Sequence, residues 1–202
     1  MESWKSFFLI TAVLLVPAAS ASASGGWLID ANAGIGIPTS DFGKDWKSGL
    51  LMGASAAYAL TPQFAVGVDG SYVKNDPSND YAAILKSSSA DDEFKLVHYG
   101  AHGKWIAPAT ANRVSPYLVA GVGLYSVKNN YVEPTFSVES TQTAFGLRGG
   151  VGFDWMIGST WGLAFEGDYH HVMIDKDKFG YKSAPFIGVT AGIHWALHPG
   201  AK

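Results

Sequence analysis

AFGLRGGVGFDW, residues Ala144 to Trp155, decides how the rest of the chain is read. Phe145, Leu147, Val151, Phe153 and Trp155 fall on one parity, and Gly146, Arg148, Gly150, Gly152 and Asp154 on the other. Successive side chains of a strand point to opposite faces, so the segment is a strand with one apolar face and one small or charged face. A helix would mix the two sets.

Seven further segments of roughly ten to thirteen residues repeat the pattern on both sides of it. Trp27 to Ile37 sets Trp27, Ile29, Ala31, Ala33, Ile35 and Ile37 against Asp30, Asn32, Gly34 and Gly36. Gly49 to Leu60 sends Leu50, Met52, Ala54, Ala56, Tyr58 and Leu60 one way, with Leu51 as its misfit. Phe64, Val66, Val68 and Tyr72 oppose Ala65, Gly67, Asp69 and Ser71; Val97, Tyr99, Ala101 and Trp105 oppose His98, Gly100, His102 and Lys104. Tyr117 to Val127 is apolar or glycine on both parities, and Leu118, Ala120, Val122 and Leu124 are assigned outward. Trp161, Leu163, Phe165 and Tyr169 oppose Glu166, Asp168 and His170, and Ile187, Val189, Ala191, Ile193, Trp195 and Leu197 oppose Gly188, Thr190, Gly192 and His194. Eight such strands allow closure into an antiparallel barrel with both ends on one side.

Period two does not say which face is inside. Gly and Ala dominate the polar parity, which suits the narrow lumen of an eight-stranded barrel and would weaken a water-facing strand without compensation. A tilted strand needs about nine to eleven residues to cross a bilayer, longer than the usual five or six. The aromatics Trp27, Tyr58, Phe64, Trp105, Trp155, Trp161 and Trp195 all fall at one rim of an up-and-down barrel, as an interfacial girdle requires. Short links at Thr61 to Gln63, Pro108 to Ser115 and Ile157 to Thr160 lie beside that rim; the links at Pro38 to Ser48, Lys74 to Glu93, Lys128 to Ser140 and Met173 to Ser183 are longer and more charged. Short turns belong in the periplasm and long loops outside.

The N-terminus reads as an export signal. Lys5 precedes the apolar run Phe7 to Val16, Pro17 ends it, and AASASAS offers cleavage after Ala21 or Ala23. The run is half the length of a membrane-spanning helix, which needs about 20 residues. Residues 1–23 are therefore expected to leave, and 24–202 to form one barrel domain. The chain has no Cys, so no disulfide or thiolate metal site is available. Its net charge is −3, from 14 Lys and Arg against 17 Asp and Glu, and Arg113 and Arg148 are its only arginines. Such a balance argues against nucleic acid as a partner.

Little in the sequence points to chemistry. His98 and His102 share a face, but four residues along a strand separate them by about 13 Å, so they cannot chelate one ion unaided. GIG at Gly34 and GVG at Gly121 lie within strands with no helix following, which removes a phosphate loop. A lipid-modifying esterase or acyltransferase would need a nucleophile, a base and an orienting acid near the outer rim; Ser71, His170 and Asp168 supply the parts without a recognised motif. A narrow pore is the other rival, and eight strands leave a lumen only wide enough for side chains. No catalytic, cofactor or metal residue is assigned. The long loops carry Trp46, Tyr81, Tyr131, Phe136, Phe179 and Tyr181, either as binding surface or packed over the barrel mouth.

The stretch Gly34 through Tyr72, together with PYLVAGVGLY at Pro116 to Tyr125 and AFGLRGGVGFDW, resembles the small outer-membrane β-barrel domain family that includes the OmpA transmembrane domain, OmpX and the opacity-type barrels. The resemblance covers the whole mature chain and implies the cell outer membrane of a Gram-negative bacterium, outer-membrane lipid and the barrel assembly machinery as partners, and a monomer without cofactor. It implies a structural or surface-interaction role through the outer loops, with an unknown extracellular partner. Such barrels usually finish on Phe or Trp, whereas this chain continues past Trp195 and Leu197 with HPGAK.

Inside, Asp30, Asp69, Asp154, Glu166 and Asp168 share a parity with Lys104, Arg148, His98, His102, His170 and His194, and are expected to form a lumen charge network. A hairpin centred on Gly158 would set Trp155 opposite Trp161 and Arg148 opposite Asp168, while a slip by two offers Glu166 or His170. A slip by one would turn the charges to lipid. Membrane fractionation tests the whole reading: the chain is expected with the outer membrane and to refold only in detergent or lipid, and recovery as a soluble monomer would favour a soluble ligand-binding barrel.

Overall fold

A computed structural model describes residues 25–87, 91–132, 134–135 and 137–197. The proposed signal segment, the tail from His198 and the loop residue Phe136 lie outside the described residues. Eight strands follow one another around a closed antiparallel barrel: β1 (Trp27–Pro38), β2 (Gly49–Thr61), β3 (Phe64–Asn75), β4 (Asp91–Ile106), β5 (Val114–Val132), β6 (Ser137–Met156), β7 (Trp161–Val172) and β8 (Phe186–Leu197). The β1–β8 ladder closes it, running from Trp27 opposite Leu197 to Pro38 opposite Phe186. Closure leaves no open sheet edge along the barrel wall, which a wall in lipid requires because hydrocarbon offers no hydrogen bonds.

The two parities sort as the alternation implies. Ile35, Met52, Val68, Trp105, Phe145, Val151, Ile187 and Ile193 stand exposed on the outside. On β5, Leu118, Val122 and Leu124 face out and Tyr117, Val119, Tyr125 and Val127 are buried inside. Large inward residues stand opposite glycines: Asp69 faces Gly100, Arg148 faces Gly121, and Asp168 faces both Gly150 and Gly188. Space is the reason. A Cβ on Gly150 would lie 2.6 Å from the Asp168 Cβ.

Two expectations about strand pairing change. Arg148 stands opposite His170, not Asp168, and Trp155 opposite Leu163, not Trp161. The β6–β7 turn centres one residue later than Gly158, on a link in which the Ile157 and Gly158 amides both donate to the Trp161 carbonyl at 3.1 and 2.9 Å. That is a slip by two, which keeps every charge inside. The link expected at Lys128 to Ser140 is mostly strand, because the β5–β6 ladder continues to Val132 opposite Ser137. Val132, Val138, Thr141 and Thr143 favour extended backbone although their neighbours are polar.

The long-loop end is closed by side chains. Three helices lie in its loops: α1 (Phe42–Asp45), α2 (Asn79–Ser87) and α3 (Lys176–Phe179). Phe42 and Trp46 join the strand residues Leu51, Val73, Phe94, Val127, Val172 and Phe186 in one buried apolar cluster, with Tyr81, Phe179 and Tyr181 packed on it. Ring centroids of Phe42 and Trp46 lie 4.7 and 5.1 Å from that of Phe94. Leu51, the misfit on β2, is inside because this plug needs it. Tyr81 donates to Asp92 at 2.8 Å and Tyr181 donates to Asp45. Burial, reinforced by those hydrogen bonds, pushes both phenols above their ordinary pKa. Four of the loop aromatics are thus packing over the mouth rather than free binding surface. The short-link end has a smaller floor of Leu28, Ala57, Ala65 and Ala196.

Val151, near mid-height on the outer face of β6, is 60% exposed. Val151→Arg is expected to lower unfolding free energy in lipid vesicles by about 2–4 kcal/mol, and Thr143→Arg, on the same face nearer the loops, by about 0–1 kcal/mol. Equilibrium denaturation of both variants checks the placement of the bilayer.

Candidate functional site

Between plug and floor, the lumen holds a charge lattice in two tiers. The upper tier is built on Arg148 of β6, whose guanidinium spans two acids: Nη1 donates to Asp69 Oδ2 at 2.7 Å and Nη2 to Glu166 Oε1 at 2.8 Å. Its Nε lies 3.6 Å from Asp168 Oδ2, in ion-pair range without a hydrogen bond. Arg suits this position because its planar fork aims several donors in fixed directions. Asp69 also takes His102 Nδ1 at 2.7 Å. His98 Nδ1 is 3.2 Å from the other Asp69 oxygen, but the angle makes no hydrogen bond, and the ring stacks on Tyr125 at 4.4 Å.

The two histidines that lie too far apart along β4 to share an ion thus flank one carboxylate. The register explains it: Asp69 stands opposite Gly100, midway between them. His170 uses both ring nitrogens, with Asp168 Oδ2 2.8 Å from Nε2 and the Tyr125 hydroxyl 2.6 Å from Nδ1, and Phe186 stacks on it at 4.3 Å.

The lower tier lies one residue inside the aromatic rim. Lys104 Nζ donates to Asp154 Oδ2 at 2.9 Å, lies 4.0 Å from Asp30 Oδ2, and sits 3.7 Å over the Tyr117 ring. Asp30 also holds His194 Nδ1 at 2.7 Å and the Ser55 hydroxyl at 3.1 Å. The Tyr117 hydroxyl donates to Glu166 at 2.9 Å and joins the tiers. Tyr117 and Tyr125 are the participants that the sequence does not mark, since both parities of β5 are apolar or glycine. Their signal was present: each is the bulky residue on the parity that also carries Gly121 and Gly123.

A cavity of about 40 Å³ lies among these groups. At about 10–15 Å³ each it has room for about three or four waters, not for a solute or a continuous channel. The candidate nucleophile Ser71 and base His170 both line it. Yet His170 is 2% exposed, and both its nitrogens are engaged elsewhere, so neither is free to take a proton from Ser71.

The aromatic rim is the other candidate feature. Trp27 faces Tyr58, Phe64 faces Trp105, and Trp161 faces Trp195 across their ladders, all at the short-link end, where Trp155 also lies. All are exposed on the outside except Tyr58, half-buried against Trp27 with ring centroids 5.4 Å apart.

The family model described as the outer membrane protein beta-barrel domain matches residues 6–194. No curated protein matches the chain. Among solved structures, Neisserial surface protein A is similar at 22% identity with a TM-score of 0.63, over 84% of this chain and 96% of that one. A major outer membrane protein from Thermus thermophilus is similar at 12% identity and 0.62, over 85% and 99%. Ail, the attachment invasion locus protein of Yersinia pestis, is similar at 15% identity and 0.55, over 87% and 100%.

Deleting one partner of a buried ion pair strands the others, at about 3–5 kcal/mol. Arg148→Leu, which leaves three acids facing one another, is expected to destabilise the barrel by that amount in denaturant titrations followed by tryptophan fluorescence. Lys44→Ala, which removes only the exposed pair with Asp41, is expected to leave the midpoint unchanged.

Proposed function

The chain belongs to the outer membrane protein β-barrel domain family, and from that membership we propose that it is a closed, non-catalytic barrel of the outer membrane with a structural or surface-interaction role. The observation that carries this reading is the filled lumen: an apolar plug at the loop end, an ion-paired lattice beneath it, and a cavity of about 40 Å³ within the lattice. A diffusion pore needs a continuous aqueous path, and a lipid-modifying enzyme needs a base that a substrate can reach; the buried His170 offers neither. The export signal is cleaved, the apolar outer face meets lipid, and the aromatic rim lies at the periplasmic interface. The long loops then face outward, and the protein works as a monomer inserted by the barrel assembly machinery.

What remains for partners is the outer surface of the loops and of the projecting β5–β6 arm, where Lys128 pairs with Glu139 at 2.8 Å. Neisserial surface protein A and the attachment invasion locus protein are named for the cell surface and for attachment, and a loop-borne role is in keeping with those names. Planar-bilayer recording tests the closed lumen. No conductance of porin size is expected, and stable channels of that size would overturn the reading.

A further inference from the structure

We propose that Asp30, Asp154 and His194 form a site for a single divalent metal ion, with Zn²⁺ the best match, that pins the closing seam of the barrel. Each of the three offers a ligand atom within 4.8 Å of the other two. His194 Nδ1 lies 2.7 Å from Asp30 Oδ1 and 3.8 Å from Asp154 Oδ1. Ligands at about 2.0–2.2 Å in a tetrahedral zinc site stand about 3.3 Å apart, between those two values.

The two carboxylates are polarised in the same sense. Their Oδ2 atoms are taken by Lys104 and Ser55, while both Oδ1 atoms turn toward His194. Lys104 and Ser55 thereby fix which oxygen each carboxylate turns toward His194. Asp154 Oδ1 is an independent sign. It is fully buried and has no hydrogen-bond partner, on a side chain that is 5% exposed. A buried carboxylate oxygen without a donor is costly, and a cation removes that cost.

Charge in the lumen favours the same occupant. Five carboxylates face only Lys104 and Arg148 as permanent cations, and the rest of their pairing falls to four histidines. One imidazole nitrogen with two carboxylate oxygens suits zinc better than calcium or magnesium, which take oxygen alone. Asp30 and His194 are directly opposed across the β1–β8 ladder, and Asp154 reaches them from β6. The ion joins the first strand to the last, and both to β6.

The test is Zn²⁺ titration, against a chromophoric chelator, of the untagged exported chain purified from membranes in detergent. The wild type is expected to take up one ion per chain, and Asp154→Asn and His194→Gln to lose at least about tenfold in affinity. Lys104→Gln, which removes a competing positive charge beside both carboxylates, is expected to bind about tenfold more tightly. His171→Gln, on the outer face of β7, is expected to bind as wild type. Should Asp154→Asn or His194→Gln fail the heat-dependent gel shift that reports folding, Lys104→Gln carries the test alone. Absence of stoichiometric uptake by the wild type overturns the site, as does equal binding by folded Asp154→Asn, or weaker binding by Lys104→Gln.

Discussion

The interior of an eight-stranded barrel is only as wide as the side chains that line it, and everything else in this molecule follows from that width. No water column fits, so a polar group placed inside must find a partner on a facing strand. Several inward side chains are set against glycine on at least one side: Asp69 against Gly100, Arg148 against Gly121, Asp168 against Gly150 and Gly188; where two large ones do meet, as His98 and Tyr125 do, they stack. The glycines, which would be a liability in a water-facing strand, are the space into which the lattice folds.

The same width stacks the interior by height. At the loop end the strands carry Leu51, Val73, Phe94 and Val172, and the loops drop Phe42 and Trp46 among them. In the middle, each acid has a basic or hydroxyl neighbour from another strand, so the strands are tied together through Arg148, Lys104 and their partners. At the rim, alanines and Leu28 close the floor. Buried ion pairs seldom stabilise more than well-packed apolar groups, so the lattice acts chiefly on register. A strand that slipped by two would keep its charges inside but part Arg148 from Asp69 and Glu166.

Solvent and lipid explain the outer surface in the same terms. Apolar side chains face out because hydrocarbon is their solvent, and tryptophans collect at one rim because an indole is apolar in its ring and polar at its N–H. Beyond the opposite rim, β5 and β6 continue as a paired arm whose outward residues turn polar, Lys128 and Thr141 among them. The change in composition along one ladder marks where lipid ends.

Sequence alone determined the strand number, the facing of each parity, the aromatic rim and the set of charges inside, because a period of two is local and needs no partner to be read. It did not determine which charges meet. Arg148 reaches Asp69 on β3, 79 residues away, through the circumference of the barrel, and no hairpin rule within β6 and β7 could find it. The turn that follows Met156 shifted the expected pairing by two, since parity constrains a register only to even steps. Tyr117 and Tyr125 were hidden by a strand apolar on both faces, and Lys128 to Ser140 read as loop because polar alternation outside the bilayer looks like any solvated segment. The loop aromatics were the last undecided element. Whether Trp46, Tyr81, Phe179 and Tyr181 meet solvent or plug the mouth depends on the diameter of the opening beneath them, and only closure of β1 onto β8 sets that diameter.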